Sequence, residues 1–152
     1  MTALEKIREW IATYPGYDIL ASFQVDYTDQ IPNNGGIFSS GLVEISRKKD
    51  IVGNITVVNQ YNFGLYYTFF KSPGDDAGAS VNADWVMGFQ EWVQEQSITG
   101  KAPTFGDRAR DERIIAQNGM LYDSDKEGTA LYSVQLSVQF TKFFKEDNPW
   151  LI

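Results

Sequence analysis

Residues 55–71, ITVVNQYNFGLYYTFFK, carry the strongest structural signal in the chain. Apolar and aromatic residues occupy the odd positions, with Asn59 as the only gap. This two-residue period is typical of a β-strand, because successive side chains point to opposite faces of a sheet. The even positions also include three apolar residues, Val58, Tyr66 and Phe70. We therefore predict one long strand, straight or bent near residues 62–64, with both faces partly covered near its carboxyl end.

Residues 129–144, TALYSVQLSVQFTKFF, show the same two-residue period. The even positions from Ala130 to Phe140 are apolar, and the odd positions between them are Ser or Gln apart from Leu131. One apolar and one polar side is typical of an antiparallel strand with one face on the core. We therefore predict a second long strand, whose outer face is polar and uncharged.

A long helix is expected over about residues 81–96, with Ser80 as its N-cap. Its apolar residues recur at helical spacing and form a wide stripe made of Val81, Trp85, Gly88, Phe89 and Trp92. Such a stripe is typical of a helix that lies on a sheet. A short N-terminal helix is also expected, because Thr2 and Glu5 have the spacing of a capping box.

Shorter patterns complete the prediction of the fold. They predict strands over Ala21–Tyr27 and Leu42–Arg47, a turn-rich loop over Ile31–Gly36, an irregular connection over Ser97–Arg113, and a small hairpin over residues 114–122 that turns at Asn118-Gly119. Strands and helices do not alternate regularly, so a doubly wound parallel sheet is not expected. We predict a single α+β domain over residues 1–152. It has a mainly antiparallel sheet of about four or five strands, with the long helix packed on it.

Composition excludes several classes of function. The 152 residues include 20 acidic and 13 basic side chains, a net charge of −7, so generic nucleic-acid binding is not expected. The chain has no Cys and no His, which excludes disulfides, thiol nucleophiles, Ser-His-Asp triads and nearly all zinc chemistry. No apolar stretch predicts a membrane span, and the N-terminus lacks the pattern of a signal peptide. A cytosolic origin is therefore the default expectation.

Asp75 and Asp76 form the most site-like pair of carboxylates, in a loop between Gly74 and Gly78. Two adjacent carboxylates could bind a hard cation such as calcium, but the further ligands of an EF-hand loop are missing. We favour a solvated loop that places anions before a helix N-terminus, where the helix dipole stabilises them. Both residues are also candidates for an interface.

Residues 107–113 hold three arginines, Arg108, Arg110 and Arg113, among three carboxylates, Asp107, Asp111 and Glu112. General acid–base catalysis would need a cleft and raised carboxyl pKa values, and the sequence indicates neither. We expect a mixed-charge surface segment. If it binds a partner, three arginines favour a protein that presents carboxylates for bidentate pairing. The apolar tail Trp150, Leu151 and Ile152 is a further interface candidate.

Two further patterns have ordinary structural explanations. Arg47-Lys48-Lys49 is the only basic run, and three cations at a turn are typical of a solvated hairpin tip rather than a phosphate site. The aromatic run Tyr61–Phe70 has one nearby cation, Lys71, whereas stacking platforms for nucleic acid need basic surroundings. We expect this run to form the core of the sheet together with a packed second face, with a protein interface as the alternative.

The chain from Phe63 through Phe144 resembles a family of phage minor capsid proteins that corresponds to tail terminators of prophages in Gram-positive bacteria. The likeness is carried by Leu65–Asp76, Asn82–Trp85, Phe89–Gln96, Ala102–Asp107, Asn118-Gly119 and Val134–Phe140. It extends over roughly residues 1–145 and is looser before Ile55. These are similarities along the whole sequence and include no catalytic signature.

The resemblance implies a structural protein of the virion, without enzymatic activity or a cofactor. Tail terminators are small α+β proteins that form a hexameric ring at the head-proximal end of the tail tube. The ring stops polymerisation of the tube and presents a face to neck or head-completion proteins, and in contractile tails it also meets the sheath. DNA passes through its lumen without specific binding. Assembly in the host cytoplasm, with no contact to a membrane, is expected.

Two alternatives stay open on the sequence. One is another head–tail connector or a tube-type structural protein, which would share the ring but differ in neighbours and copy number. The other is a small enzyme that works with carboxylates, for which Asp75 and Asp76 are the candidates.

Overall fold

A computed structural model describes residues 2–17, 22–25, 34–70, 76–124 and 129–145. Its elements, in chain order, are α1 (Ala3–Ile11), β1 (Ser22–Val25), β2 (Asn34–Lys49), β3 (Ile55–Phe70), α2 (Asp76–Ile98), a 3₁₀ turn (Ala109–Asp111), β4 (Arg113–Ser124) and β5 (Thr129–Phe144). The predicted α+β class is confirmed, with a long helix on an antiparallel sheet and a short N-terminal helix.

The five strands form one sheet in the order β1-β2-β3-β5-β4. β2 to β5 are antiparallel, whereas β1 adds a short parallel strand beside the first four residues of β2. β3 and β5 pair along their whole length, from Ile55 opposite Phe144 to Phe70 opposite Thr129. Sixteen residues of strand span roughly 50 Å. These two strands form the centre of the sheet and match the two long strands that the alternating patterns predicted.

The core lies between one face of the sheet and the two helices. Every even position of β5 from Ala130 to Phe140 is buried, as are Phe63, Leu65, Tyr67 and Phe69 of β3. Phe63, Tyr67 and Phe69 of the aromatic run therefore lie in the core, and Tyr66 packs on the other face of the sheet against Phe38, as expected. The rings in the core also contact α2, since the ring centroids of Tyr67 and Trp85 are 4.6 Å apart.

The N-terminal helix begins with the predicted capping box. Thr2 Oγ1 accepts a hydrogen bond from the Glu5 amide, and Glu5 Oε2 accepts one from the Thr2 amide, both at 3.2 Å. The segment after the helix is held against α2 by two further bonds. The Tyr14 hydroxyl donates to the Trp85 carbonyl at 3.1 Å, and Trp85 Nε1 donates to the Gly16 carbonyl at 2.9 Å.

The buried stripe of α2 differs from the predicted one. The side chains facing the sheet are Asn82, Val86, Phe89 and Val93, whereas Val81 is 67% exposed. Trp85 and Trp92 are half-buried at the margin of the stripe. The spacing of the large residues predicted the helix correctly, but it predicted a buried face that is rotated relative to the observed one. A bulky aromatic ring can reach the core from the margin of the buried face, whereas a valine side chain contacts the core only from the centre of that face. The helix also begins earlier, at Asp76 rather than after Ser80.

The predicted loop over Ile31–Gly36 is wrong at its end, where Asn34, Gly35 and Gly36 are the first residues of β2. Residues 31–33 lie outside the described part of the chain. Gly35 is needed for packing rather than for a turn, because a β-carbon there would lie 2.7 Å from Cδ2 of Phe23. The strand therefore starts eight residues before the predicted Leu42.

The predicted hairpin at Asn118-Gly119 is also wrong. Residues 113–124 form a single strand, and its register with β5 gains one residue between Gln117 and Met120. Asn118 has a φ of 58°, which is typical of a β-bulge. Gly119 lets α2 approach the strand, since a β-carbon there would lie 2.7 Å from Cγ1 of Val86. The predicted turn over residues 123–128 begins inside this strand, and residues 125–128 lie outside the described part.

Candidate assembly surfaces

The hairpin of β2 and β3 extends beyond the part of the sheet that the helices cover. β1 pairs with β2 only as far as Ile37, and no other described strand pairs with the outer edge of β2. We call residues 39–55, which are mostly exposed, the arm. Its exposed apolar side chains are Leu42, Val43, Ile45, Ile51 and Val52. Sequence reasoning missed these residues because apolar strand positions are normally assigned to a core.

The tip of the arm is a well-defined turn. The Asp50 carboxylate accepts hydrogen bonds from the amides of Val52 and Asn54, at 3.0 and 2.9 Å. Gly53 has a φ of 93°, a conformation that favours glycine. At this turn the side chain of Ile51 is fully exposed and that of Val52 is largely exposed.

The free edge of the arm is interrupted in two places. The register between β2 and β3 shifts between Ser39 and Leu42, where Gly41 has a φ of 85°, and again between Glu44 and Ser46. Bulges and cationic side chains on an edge strand discourage pairing with the edge of another sheet. The arm is therefore suited to contacts through its side chains rather than to extension of the sheet.

The arm is basic near its tip, as the sequence predicted for Arg47–Lys49. Arg47 pairs with Glu44 at 2.8 Å within the arm. Lys48 and Lys49 are exposed, and neither forms an ion pair with any described residue. Two uncompensated positive charges thus lie beside the exposed apolar side chains.

The opposite edge of the sheet, on β4, is covered by α2. The Ile114 amide donates to Ser97 Oγ at 3.0 Å, and Gln90 Nε2 donates to the Ala116 carbonyl at 3.1 Å. These backbone groups are the ones that an added strand would use, so the helix closes this edge.

We call the exposed surface of α2 and the adjoining part of β4 the α2 side. Its exposed apolar side chains are Val81, Met87, Ile98 and Leu121, whereas Met120 pairs with Ser133 and lies on the opposite face of the sheet. Asp84, Glu91 and Glu95 are exposed there too, and α2 contains no Lys or Arg. A cleft of about 540 Å³ runs between α2 and the start of β4. The exposed surface of α2 itself is therefore acidic and partly apolar, while Arg110 and Arg113 add positive charge to the wall of the cleft.

The three predicted arginines have different neighbours in the structure. Arg108 pairs with Asp111 at 3.6 Å and lies over the Phe143 ring, 4.7 Å from its centroid. Arg110 and Arg113 instead line the cleft beside α2. All three are exposed, which agrees with the predicted mixed-charge segment.

Two of the nearby carboxylates hold the loop to the sheet. Glu112 accepts hydrogen bonds from the amides of Phe105 and Gly106, at 2.6 and 3.3 Å. Asp107 Oδ2 accepts one from the Phe143 amide at 2.8 Å. These partners give both carboxylates a structural role in closing the loop against β5.

Other predicted site residues have less support. Asp75 and the tail residues Trp150, Leu151 and Ile152 lie outside the described residues. Asp76 is the first residue of α2, so the loop predicted to contain it ends before it. Among the residues searched, which are those the structure describes, no group of three potential metal ligands is found.

On the face of the sheet opposite the helices, the odd positions of β5 from Ser133 to Thr141 are polar, as predicted, whereas Val58 and Tyr66 of β3 are apolar positions on the same face. Asn62 Oδ1 accepts hydrogen bonds from Gln60 Nε2 at 2.7 Å and from Ser137 Oγ at 3.1 Å. The register places Gln139 beside Gln60, and Lys48 and Arg113 at the two margins. This surface presents neutral amide and hydroxyl groups between two cations.

Three tyrosines have a raised pKa. Burial raises the pKa of Tyr67, which is fully buried, and its hydroxyl has no hydrogen-bond partner among the described residues. Burial and then the charge of Glu91 raise the pKa of Tyr14, and burial raises that of Tyr132. These phenols therefore stay protonated at neutral pH.

A comparison with family models found no match to the chain. A comparison with curated proteins found no significant match. No helix in the described ranges is both long enough and apolar enough to cross a bilayer. The family expected from the sequence stays a prediction.

Proposed function

We propose that this chain is a phage tail terminator, a structural protein whose copies form a ring of six at the head-proximal end of the tail tube. The ring stops tube polymerisation and presents its other face to neck or head-completion proteins. The observation that carries this proposal is the pair of exposed, partly apolar surfaces on the arm and the α2 side.

These surfaces favour a subunit of an assembly over a protein that works alone. Contiguous exposed apolar groups on a folded chain mark sites of protein contact. The two surfaces belong to opposite edges of the sheet, β2 and β4. Contacts between two different surfaces are heterologous, and they generate a closed ring when the rotation between copies closes.

The charge of the molecule fits a ring around DNA. The chain has a net charge of −7, which opposes binding to phosphates. The sheet face opposite the helices presents neutral Gln, Asn and Ser side chains at its centre. A lumen lined by such groups would let DNA slide without retaining it.

Deleting the gene from its phage tests this function. We expect tails of uncontrolled length and heads without tails, and a copy supplied from a plasmid should restore normal particles. A labelled chain should appear by electron microscopy as one layer at the top of the tube. Labels stacked along the tube, or placed at the portal, would contradict the proposal and favour a tube-type or connector role. Normal particles after deletion of the gene would exclude the terminator, tube-type and connector roles alike.

A further inference from the structure

We propose that Trp150 docks in a pocket of its own chain, formed by the loop between α2 and β4. The segment that carries it, residues 146–152, lies outside the described part of the chain. This inference goes beyond the proposed function and does not depend on it. Docking joins the segment after β5 to the loop and covers an apolar surface that the described residues leave open.

The pocket is small, and much of its lining is apolar. It has a volume of about 240 Å³, with Ala102, Pro103 and Ile114 among its lining residues. Two of its polar groups are already used within the fold. Ser97 Oγ accepts a hydrogen bond from the Ile114 amide, and the Glu112 carboxylate accepts bonds from two loop amides. The pocket therefore favours a large apolar side chain over a polar ligand.

The pocket lies beside the place where β5 ends. Asp107 of the loop accepts a hydrogen bond from the Phe143 amide at 2.8 Å. Ala109, which lines the pocket, follows Asp107 by two residues, a distance of about 7 Å at most. The five residues from Lys145 to Trp150 span about 17 Å when extended. Trp150 can therefore reach the pocket of the chain to which it belongs.

The charge beside the pocket complements that of the segment. Arg110 lines the pocket, is exposed and forms no ion pair with any described residue. Residues 146–152 carry two carboxylates, Glu146 and Asp147, and no cation. An arginine can hold a carboxylate through two parallel hydrogen bonds. The acidic start of the segment thus matches Arg110, and its apolar continuation matches the pocket.

The absence of cysteine allows a single spin label to test this contact. A nitroxide is attached to Asn148→Cys in the isotopically labelled full chain, and broadening is measured at the amides of Ala102, Ala109 and Ile114. We expect strong broadening at all three. Adding Trp150→Ser should remove most of it, because the apolar anchor is lost. Adding Trp150→Phe should retain it, because the ring that fills the pocket is still apolar.

Two substitutions in the body of the molecule form a matched pair. Arg110→Ser removes the cation that lines the pocket and should reduce the broadening. Arg113→Ser removes a neighbouring exposed cation that is outside the pocket lining, and it should leave the broadening unchanged. Equal reductions in the two variants would overturn the pairing of Arg110 with the segment.

Two results would overturn docking within one chain. Equal broadening with and without Trp150→Ser would mean that the tether alone keeps the label near the loop. A mixture of spin-labelled chain without isotope and isotopically labelled chain without the nitroxide should show no broadening. Broadening in that mixture would mean that the segment of another copy fills the pocket. Neither result would affect the tail-terminator function, which is tested separately in particles.

Discussion

Ser97 Oγ of α2 lies 3.0 Å from the amide nitrogen of Ile114 and accepts its hydrogen bond. This bond, with that of Gln90 to Ala116, turns a free sheet edge into a covered one. The sheet therefore has two unlike edges, one closed by a helix and one extended as the arm.

Replacing Ser97 by Ala should lower the free energy of unfolding by about 1–2 kcal/mol, because the partly buried Ile114 amide loses its acceptor. Hydrogen exchange at the Ile114 amide should become faster. Thr99→Ala is the matched control, since the Thr99 hydroxyl only donates to the Glu95 carbonyl at the exposed end of α2. Equal losses in the two variants, measured by chemical denaturation, would contradict a special role for Ser97.

Gly119→Ala should destabilise the fold by about 1–3 kcal/mol, because the added methyl group meets Val86 and forces α2 away from β4. Asn118→Gly, the neighbouring change in the same bulge, should cost less than about 1 kcal/mol. Glycine accepts the φ of 58° at that position, and only an exposed bond to Gln135 is lost. A Gly119→Ala variant as stable as the parent chain would mean that the helix does not pack this closely on the strand.

Glu112→Ala should lower stability by about 2–3 kcal/mol, because two backbone amides lose a charged acceptor. Asp111→Ala serves as the control. Its carboxylate forms an exposed pair with Arg108, worth about 0–1 kcal/mol. Thermal unfolding of the two variants should therefore separate a carboxylate that builds the loop from one that lies on its surface. A larger loss of stability in Asp111→Ala than in Glu112→Ala would refute the structural role assigned to Glu112.

Tyr67→Phe should leave stability at neutral pH unchanged or increased, because the buried hydroxyl has no partner among the described residues. Tyr14→Phe should cost about 1 kcal/mol, since it removes the bond to the Trp85 carbonyl.

Alkaline unfolding gives a second measurement on Tyr67. Burial raises the pKa of Tyr67 above its ordinary value of 10.0. The folded protein favours the protonated Tyr67 hydroxyl, and this contribution to stability is complete below pH 10. It is lost as the pH rises above that value, because the hydroxyl ionises more easily in the unfolded chain. Tyr67→Phe should shift unfolding to higher pH. An unchanged alkaline transition would indicate that ionisation of Tyr67 does not drive it.

The long strands could be predicted because their alternation persists over sixteen residues, and the bounds of β5 match the prediction at both ends. Glycine was harder to interpret. Gly35 and Gly119 look like turn residues locally, but the side chains that require them, Phe23 and Val86, are distant in sequence. Close approach of separate elements leaves no local pattern, so a hairpin was predicted where a bulge occurs.

The candidate surfaces were only partly predictable. The basic run at Arg47–Lys49 was identified, and it does precede the tip of a hairpin. The exposure of Leu42, Val43 and Ile45 was not predicted, because the burial of a strand depends on which other elements cover it.

The pairing of Ile55 with Phe144 joins the residue that follows the tip of the arm to the end of β5. During translation, the arm and β3 are made before α2 and β4, whereas β5, the neighbour of β3, follows both. A chain that has not yet made β5 lacks the strand that flanks β3 behind the arm. The arm therefore gains its full support only after β5 has paired.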